Sequence, residues 1–147
     1  MIIVIQRVKK ASVQVENQII SEINQGYLLL VGLHKDDTDD IIKKAASKIS
    51  KLRIFSDSEG LMNLNINQVH GEVLSVSQFT LYGDIKKQNR PGFTEAMPFD
   101  KARDKFAYFN QCLIDLNLSV KTGCFGEHMD ISLINDGPVT IIYETSQ

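Results

Sequence analysis

The first 33 residues constrain the fold most. They hold four stretches of strand character with only short turns between them, which leaves no room for a helical crossover. Met1 to Val8 is apolar except for Gln6 and Arg7. In the next stretch Ala11, Val13 and Val15 alternate with Ser12 and Gln14, the period-two pattern of a half-buried strand. Glu16-Asn17-Gln18 reads as a turn, Ile19 to Ile23 as a returning strand, and Asn24-Gln25-Gly26 as a second turn. Tyr27 to Leu33 is nearly all apolar and reads as a central strand. The opening is therefore expected to be a set of adjacent, antiparallel strands.

Two helices interrupt the strands. Thr38 is a suitable N-cap, followed by Asp39 and Asp40 at the positive end of the helix dipole. Ile41, Ile42, Ala45, Ala46, Ile49 and Leu52 share one face, and Lys48 and Lys51 fall near the C-terminal end. The second helix is expected over roughly Asp100 to Leu116, with Ala102, Phe106, Phe109, Leu113 and Leu116 as its core stripe. Between the helices, Arg53 to Phe55 is extended, Ser56 to Gly60 is a turn, and Val73 to Leu81 reads as a strand. Gly83 to Gly92 is a loop. Met129 to Ile134 and Val139 to Tyr143 read as two closing strands around the turn Asn135-Asp136-Gly137-Pro138. The order predicts an α+β fold: a single compact domain over residues 1–147, with two main helices packed on a curved, barrel-like antiparallel or mixed sheet.

A net charge of −2 excludes nucleic-acid binding through global charge, so any RNA contact must be local. Residues 85–94 supply a candidate patch in Lys86, Lys87 and Arg90, with no acid among them; a solvated basic loop is the alternative. Two cysteines, Cys112 and Cys124, do not suggest a disulfide framework. No basic region precedes the first apolar run, and no run approaches the length of a membrane span, so the expected compartment is the cytoplasm.

Conventional catalytic patterns are missing. There is no Gly-x-Ser-x-Gly elbow, P-loop or Rossmann glycine fingerprint, and His34, His70, His128 and the cysteines show no metal-ligand spacing. Cys124 beside Gly123 is a conceivable thiol nucleophile without an evident base. Ser77-Gln78-Phe79-Thr80 ends an apolar strand, either as the lining of a pocket mouth or as a strand fading into a turn. Asn135-Asp136-Gly137-Pro138 is a strong turn signal. Its Gly-Pro bond is of the kind that adopts the cis form at modest cost.

Taken together, Ser77-Gln78-Phe79-Thr80-Leu81 and Asn135-Asp136-Gly137-Pro138-Val139-Thr140 resemble the signatures of the D-aminoacyl-tRNA deacylase family. Ile5-Gln6-Arg7-Val8 with Ala11-Ser12-Val13, Arg53-Ile54-Phe55-Ser56-Asp57 with Gly60, Met62-Asn63-Leu64-Asn65, Arg90-Pro91, Thr122-Gly123, Phe125-Gly126 and Met129 are similar to it as well. The likeness runs in order from residue 1 to about 143, and its specificity lies in the ordered set. Cys124 and His128 fall where the family varies. Met97-Pro98-Phe99-Asp100 lacks the serine cap expected before the second helix.

The resemblance implies a homodimer with two active sites at its interface, a tRNA 3′ end as partner, and neither DNA nor a membrane. It implies a cis Gly137-Pro138 that reaches into the partner's pocket, with Ser77, Gln78, Phe79 and Thr80 lining that pocket. Arg7 would orient the Gly-Pro turn, Phe125, Met129 and Thr140 would lie close by, and Lys86, Lys87 and Arg90 would meet acceptor-stem phosphates. The implied reaction is hydrolysis of D-aminoacyl-tRNA and glycyl-tRNA without metal or cofactor, assisted by the terminal ribose 2′-hydroxyl and backbone amides, with Thr80 as nucleophile a competing possibility. The rivals are a conventional esterase using Ser77, Thr80 or Cys124, and a non-catalytic RNA-binding module.

Overall fold

One long strand organises the sheet. β1 (Ile2–Val15) pairs antiparallel with β3 (Gly26–Gly32) through its first half and with β2 (Gln18–Ile23) through its second; β8 (Asp130–Glu144) runs antiparallel along its other edge. The computed structural model describes residues 1–145; Ser146 and Gln147, at the end of the expected domain, lie outside the described residues. The two opening strand segments read from the sequence are thus a single strand. It stays continuous because one extra residue, Lys9, bulges out between the pairs Val8–Asn135 and Lys10–Ile134. A one-residue slip exchanges the two faces of a strand. Ile3 and Ile5 accordingly face the helices, while Ala11 and Val13 face a second core with Val8, Ile23, Leu28, Leu74 and Val76.

The rest of the sheet is parallel. β6 (Glu72–Ser77) pairs parallel with β3, and β7 (Ser119–Thr122) parallel with β6. Parallel neighbours require a crossover. α1 (Asp39–Lys51) and α2 (Phe99–Asp115) lie within these two connections. This explains the unbroken apolar run of β3, which lies between β1 and β6 with a core on each face. The mixed sheet nearly closes into a barrel where β2 approaches β7: Ser21 Oγ donates to the Thr122 carbonyl at 2.5 Å, and Lys121 Nζ to the Glu22 carbonyl at 2.7 Å. A separate ribbon, β4 (Phe55–Ser56) with β5 (Met62–Leu64), packs Phe55 onto Tyr27 with ring centroids 5.1 Å apart.

The helices follow their sequence signals. Thr38 caps α1, its side chain accepting from the Ile41 amide, and Ile42, Ala45, Ala46 and Ile49 are buried. α2 buries Ala102, Phe106, Phe109 and Leu113, and Pro98 caps it with no side-chain hydrogen bond.

Two further strand readings are corrected. The strand expected to reach Leu81 ends at Ser77; Gln78 breaks the extended path, and Phe79–Tyr82 form a 3-10 turn. The two closing strands are one. Asn135-Asp136-Gly137-Pro138 makes no hairpin, because β8 continues along β1 beyond it. Gln6 pairs with Thr140 and Val8 with Asn135, so residues 136–139 loop out opposite Arg7 alone.

Candidate active site

A cavity of about 570 Å³ opens where three segments meet. The end of β6 contributes Val76 and Ser77, continued by Gln78 and Phe79. The approach to α2 contributes Phe93, Ala96, Met97, Pro98 and Phe99. The approach to β8 contributes Phe125 through Met129, and Ile131. Aromatic pairs stand in the walls: Phe79 meets Phe93 edge-on at 5.0 Å, and Phe99 tilts against Phe125 at 5.2 Å. Gly126 has φ +82°, a left-handed conformation that favours glycine, and a Cβ there would lie 2.8 Å from the Phe99 ring, which would have to give way. Phe79 and Phe99 remain more than half exposed, apolar surface that a ligand would cover.

Five of the expected site residues line this cavity: Ser77, Gln78, Phe79, Phe125 and Met129. Thr80 is exposed just beyond them, its hydroxyl accepting a close hydrogen bond from Gln78 Nε2. Thr80 and Gln78 therefore constrain each other. The amides of Phe79 and Thr80 open the 3-10 turn and have no acceptor within it. The sequence reading missed Phe93, Met97 and Phe99, whose apolar character beside Pro91 and Pro98 was the available signal.

Gly137, Pro138, Arg7 and Thr140 form a second cluster, around the loop-out in β8. Gly137 and Pro138 are exposed, and their peptide bond is cis. Arg7 is buried and holds the segment from beneath: Nε donates to the Asp136 carbonyl at 2.9 Å, and Nη1 to the Ile54 carbonyl at 2.7 Å. The Asp136 carboxylate lies 3.5 Å from the same Nε. Asn135 closes the loop-out, accepting from the Val139 amide at 2.7 Å and donating to its carbonyl at 3.2 Å and to Thr140 Oγ1 at 3.0 Å. Beside Arg7, the Tyr27 phenol is pushed well above its usual range by burial, with the Arg7 charge opposing. It stays protonated at neutral pH.

The two clusters lie apart in one chain. Ile131 in the cavity wall pairs with Val13, whereas the loop-out faces Arg7. The two positions stand six steps apart on β1, about 20 Å at roughly 3.3 Å per residue. Lys86, Lys87 and Arg90 are exposed on the loop preceding Phe93. Two backbone hydrogen bonds between Asp84 and Gly92 close the root of this loop, and the Phe93–Phe79 contact ties it to the cavity. Among the described residues no group of three or more His, Cys, Asp or Glu side chains is placed to hold a metal, and no helix is long and apolar enough to cross a membrane.

The family model described as D-Tyr-tRNA(Tyr) deacylase covers residues 4–144. A D-aminoacyl-tRNA deacylase of Lactobacillus gasseri is 51% identical over 142 residues, 97% of this chain and 98% of that protein. The solved structure of the c-Myc DNA Unwinding Element Binding Protein superposes with a TM-score of 0.94 at 37% identity, over the whole of both chains. A probable eukaryotic D-amino acid tRNA deacylase shares the fold, with a TM-score of 0.83 at 15% identity over 97% of both chains. The chain therefore belongs to the D-Tyr-tRNA(Tyr) deacylase family, a family of ester hydrolases.

Proposed function

We propose that this chain hydrolyses the ester of D-aminoacyl-tRNA and of glycyl-tRNA as a cytoplasmic homodimer, and that each cavity is completed by the partner subunit's Gly-Pro loop-out. The observation that carries this reading is the separation of the two clusters. The loop-out is exposed and held from two sides by Arg7 and Asn135, yet it stands about 20 Å along β1 from Ile131 in its own chain's cavity wall. A second copy can present it to a cavity that lacks it.

In this reading Gln78 and Ser77 position the aminoacyl ester at the end of β6. Water, assisted by the terminal ribose 2′-hydroxyl, adds to the ester carbonyl carbon. The amides of Phe79 and Thr80 donate to the resulting oxyanion. The carbon–oxygen bond to the ribose then breaks, the ribose oxygen takes a proton, and the free amino acid leaves. Thr80, hydrogen-bonded to Gln78 and outside the cavity lining, supports the positioning role over that of nucleophile.

Rejection of L-aminoacyl-tRNA by a factor of 10³ to 10⁴ requires about 4–5.5 kcal/mol. A side-chain pocket separates substrates one methylene apart by only about 1–3 kcal/mol. D and L esters carry identical groups, so selection rests on where those groups point, and anchored backbone is the firmer filter. The carbonyls of the Gly137-Pro138 segment would occupy the space of an L side chain and accept from the substrate's amino group. Glycine has no side chain to exclude. Lys86, Lys87 and Arg90, on the loop tied to Phe79, would take acceptor-stem phosphates. A net charge of −2 gives no global attraction for duplex DNA, so the local loop and an RNA 3′ end are the partner surface and partner of this reading.

The test is hydrolysis of matched D- and L-tyrosyl-tRNA with glycyl-tRNA alongside. Cleavage of the D and glycyl esters with survival of the L ester is expected. Survival of all three, with folded dimer, would replace the enzyme by an RNA-binding module. Cleavage of all three would remove the chiral role of Gly137-Pro138.

A further inference from the structure

His34 lies outside the cavity lining, yet it touches the segments that build two of its walls. It is buried at the start of the connection from β3 to α1. On one side its ring packs against Tyr82, the last residue of the 3-10 turn that begins at Phe79, with centroids 5.4 Å apart. On the other side Nε2 lies 3.1 Å from Glu95 Oε2. Nδ1 accepts from the Asp36 amide at 3.2 Å, which leaves Nε2 to donate to Glu95. The His34 amide donates to Asp37 Oδ2 at 2.7 Å, and Asp37 Oδ1 accepts from the Met1 ammonium at 2.8 Å. The histidine is therefore fixed from its backbone and from both ring nitrogens.

Glu95 is the residue through which this fixity reaches the opposite wall. Its second oxygen accepts from Lys35 Nζ at 2.9 Å, and its carbonyl accepts from the Lys35 amide at 3.0 Å. His34 and Ala96 form an antiparallel bridge, and the Met97 amide donates to the Leu33 carbonyl at 2.9 Å. Ala96 and Met97 line the cavity, as do Gln78 and Phe79 at the head of the turn that Tyr82 ends.

We propose that His34 is a positioning residue. Held between Tyr82 and Glu95, it sets the separation of the wall at Gln78-Phe79 from the wall at Ala96-Met97, and with it the fit of the ester carbonyl to its donors. The proposal rests on the reading of this cavity as the reaction site. Misplacement of one wall affects the bound reacting group more than the phosphate contacts of the 86–90 loop, so turnover should fall while apparent binding holds.

The experiment compares Glu95→Ala, His34→Ala, the double variant and His34→Gln in the full chain. It reads kcat and KM on D-tyrosyl-tRNA together with hydrogen exchange at the Met97 amide. Glu95 is half exposed, so its variant keeps the fold even where His34→Ala does not. Each alanine variant is expected to lower kcat about tenfold with KM within about twofold. The double variant should be no worse than His34→Ala. His34→Gln, which keeps a donor and an acceptor, should recover most of the loss. Exchange at Met97 should quicken in both alanine variants. Wild-type kcat or unchanged exchange at Met97 in folded Glu95→Ala would overturn the proposal. Faster exchange in a protein whose wild type cleaves no D-tyrosyl-tRNA would uphold the tether and sink only the proposed function.

Discussion

Arg7 Nε donates to the Asp136 carbonyl at 2.9 Å, so a buried guanidinium on β1 fixes the backbone that leads directly into Gly137 and Pro138. The same side chain satisfies the Ile54 carbonyl at 2.7 Å. Arg7→Ala removes both donors and leaves two carbonyls without this partner, at roughly 1–3 kcal/mol for each that stays dry. Thermal denaturation should show a clear loss of stability, and kcat/KM on D-tyrosyl-tRNA should fall further than that loss accounts for. Arg7→Lys keeps the charge but not the fork, and should recover stability better than activity. Equal activity in Arg7→Ala and wild type would separate the loop-out from the reaction.

Gly137 has φ +145°, and a Cβ there would lie 2.7 Å from Val139 Cγ2 and 2.9 Å from the Val139 nitrogen. Gly137→Ala must therefore move the loop-out. Because residues 136–139 are looped out of the β1 pairing, the sheet can survive the change. A folded protein with kcat/KM lowered on the order of 100-fold is expected, the scale of a misplaced reacting geometry. Steady-state kinetics and circular dichroism on one preparation decide it. A fully active, folded Gly137→Ala would count against the filter.

This loop-out shows where sequence reading stops. Asn-Asp-Gly-Pro carries the same local signal whether the chain reverses or bulges, and only the pairing of residues 130–135 and 140–144 with β1 decides between them. The joining of two opening strands by a bulge at Lys9 is settled by the same pairing. Local signals sufficed where local physics decides, at the Thr38 cap and along the stripe from Ala102 to Leu113. Of the site, the Ser77-Gln78-Phe79 wall was legible as a motif. Met97 and Phe99 were not, since the approach of residues 125–129 is what turns them into a wall.

Lys86, Lys87 and Arg90 stand exposed on one loop, closed at its root by Asp84 and Gly92. If they meet phosphates, replacing all three with alanine should raise KM for aminoacyl-tRNA and leave kcat nearly unchanged. The slope of log affinity against log salt should shrink by about 2 to 3, at roughly 0.7 to 0.9 per contact. Titration of tRNA at several salt concentrations measures it. An unchanged slope would place the RNA elsewhere.

The two thiols should differ in reactivity. Cys124 is exposed beside Phe125, whereas burial pushes the Cys112 thiol above its usual value, partly opposed by a hydrogen bond from Tyr108. Only the thiolate reacts, so a raised pKa and restricted access act in the same direction. Iodoacetamide near pH 8, followed by peptide mass spectrometry, should label Cys124 well before Cys112. Bulk at Cys124, next to the Phe125 wall, should also slow turnover. Equal labelling would contradict the packing of α2.

Acid should loosen the site through Asp57. Its carboxylate accepts from the amides of Leu61 and Glu59 at 3.0 and 2.9 Å and from Asn63 Nδ2 at 3.1 Å, closing the turn between β4 and β5. These bonds, that from Leu61 foremost, hold its pKa below the ordinary 3.8. A carboxyl group with a depressed folded pKa stabilises fully above its unfolded value, and that contribution is lost as pH falls through the lower folded value. The turn should therefore hold at neutral pH and open only below about pH 4. The ribbon begins next to Ile54, whose carbonyl accepts from Arg7, so its loosening reaches the anchor of the Gly137-Pro138 loop-out. Asp57→Asn keeps the shape but weakens the acceptor. The variant should be less stable than wild type at pH 7, with the gap narrowing as pH falls below about 4 in urea titrations. A gap independent of pH would mean that the charge of Asp57 plays no part in holding the turn.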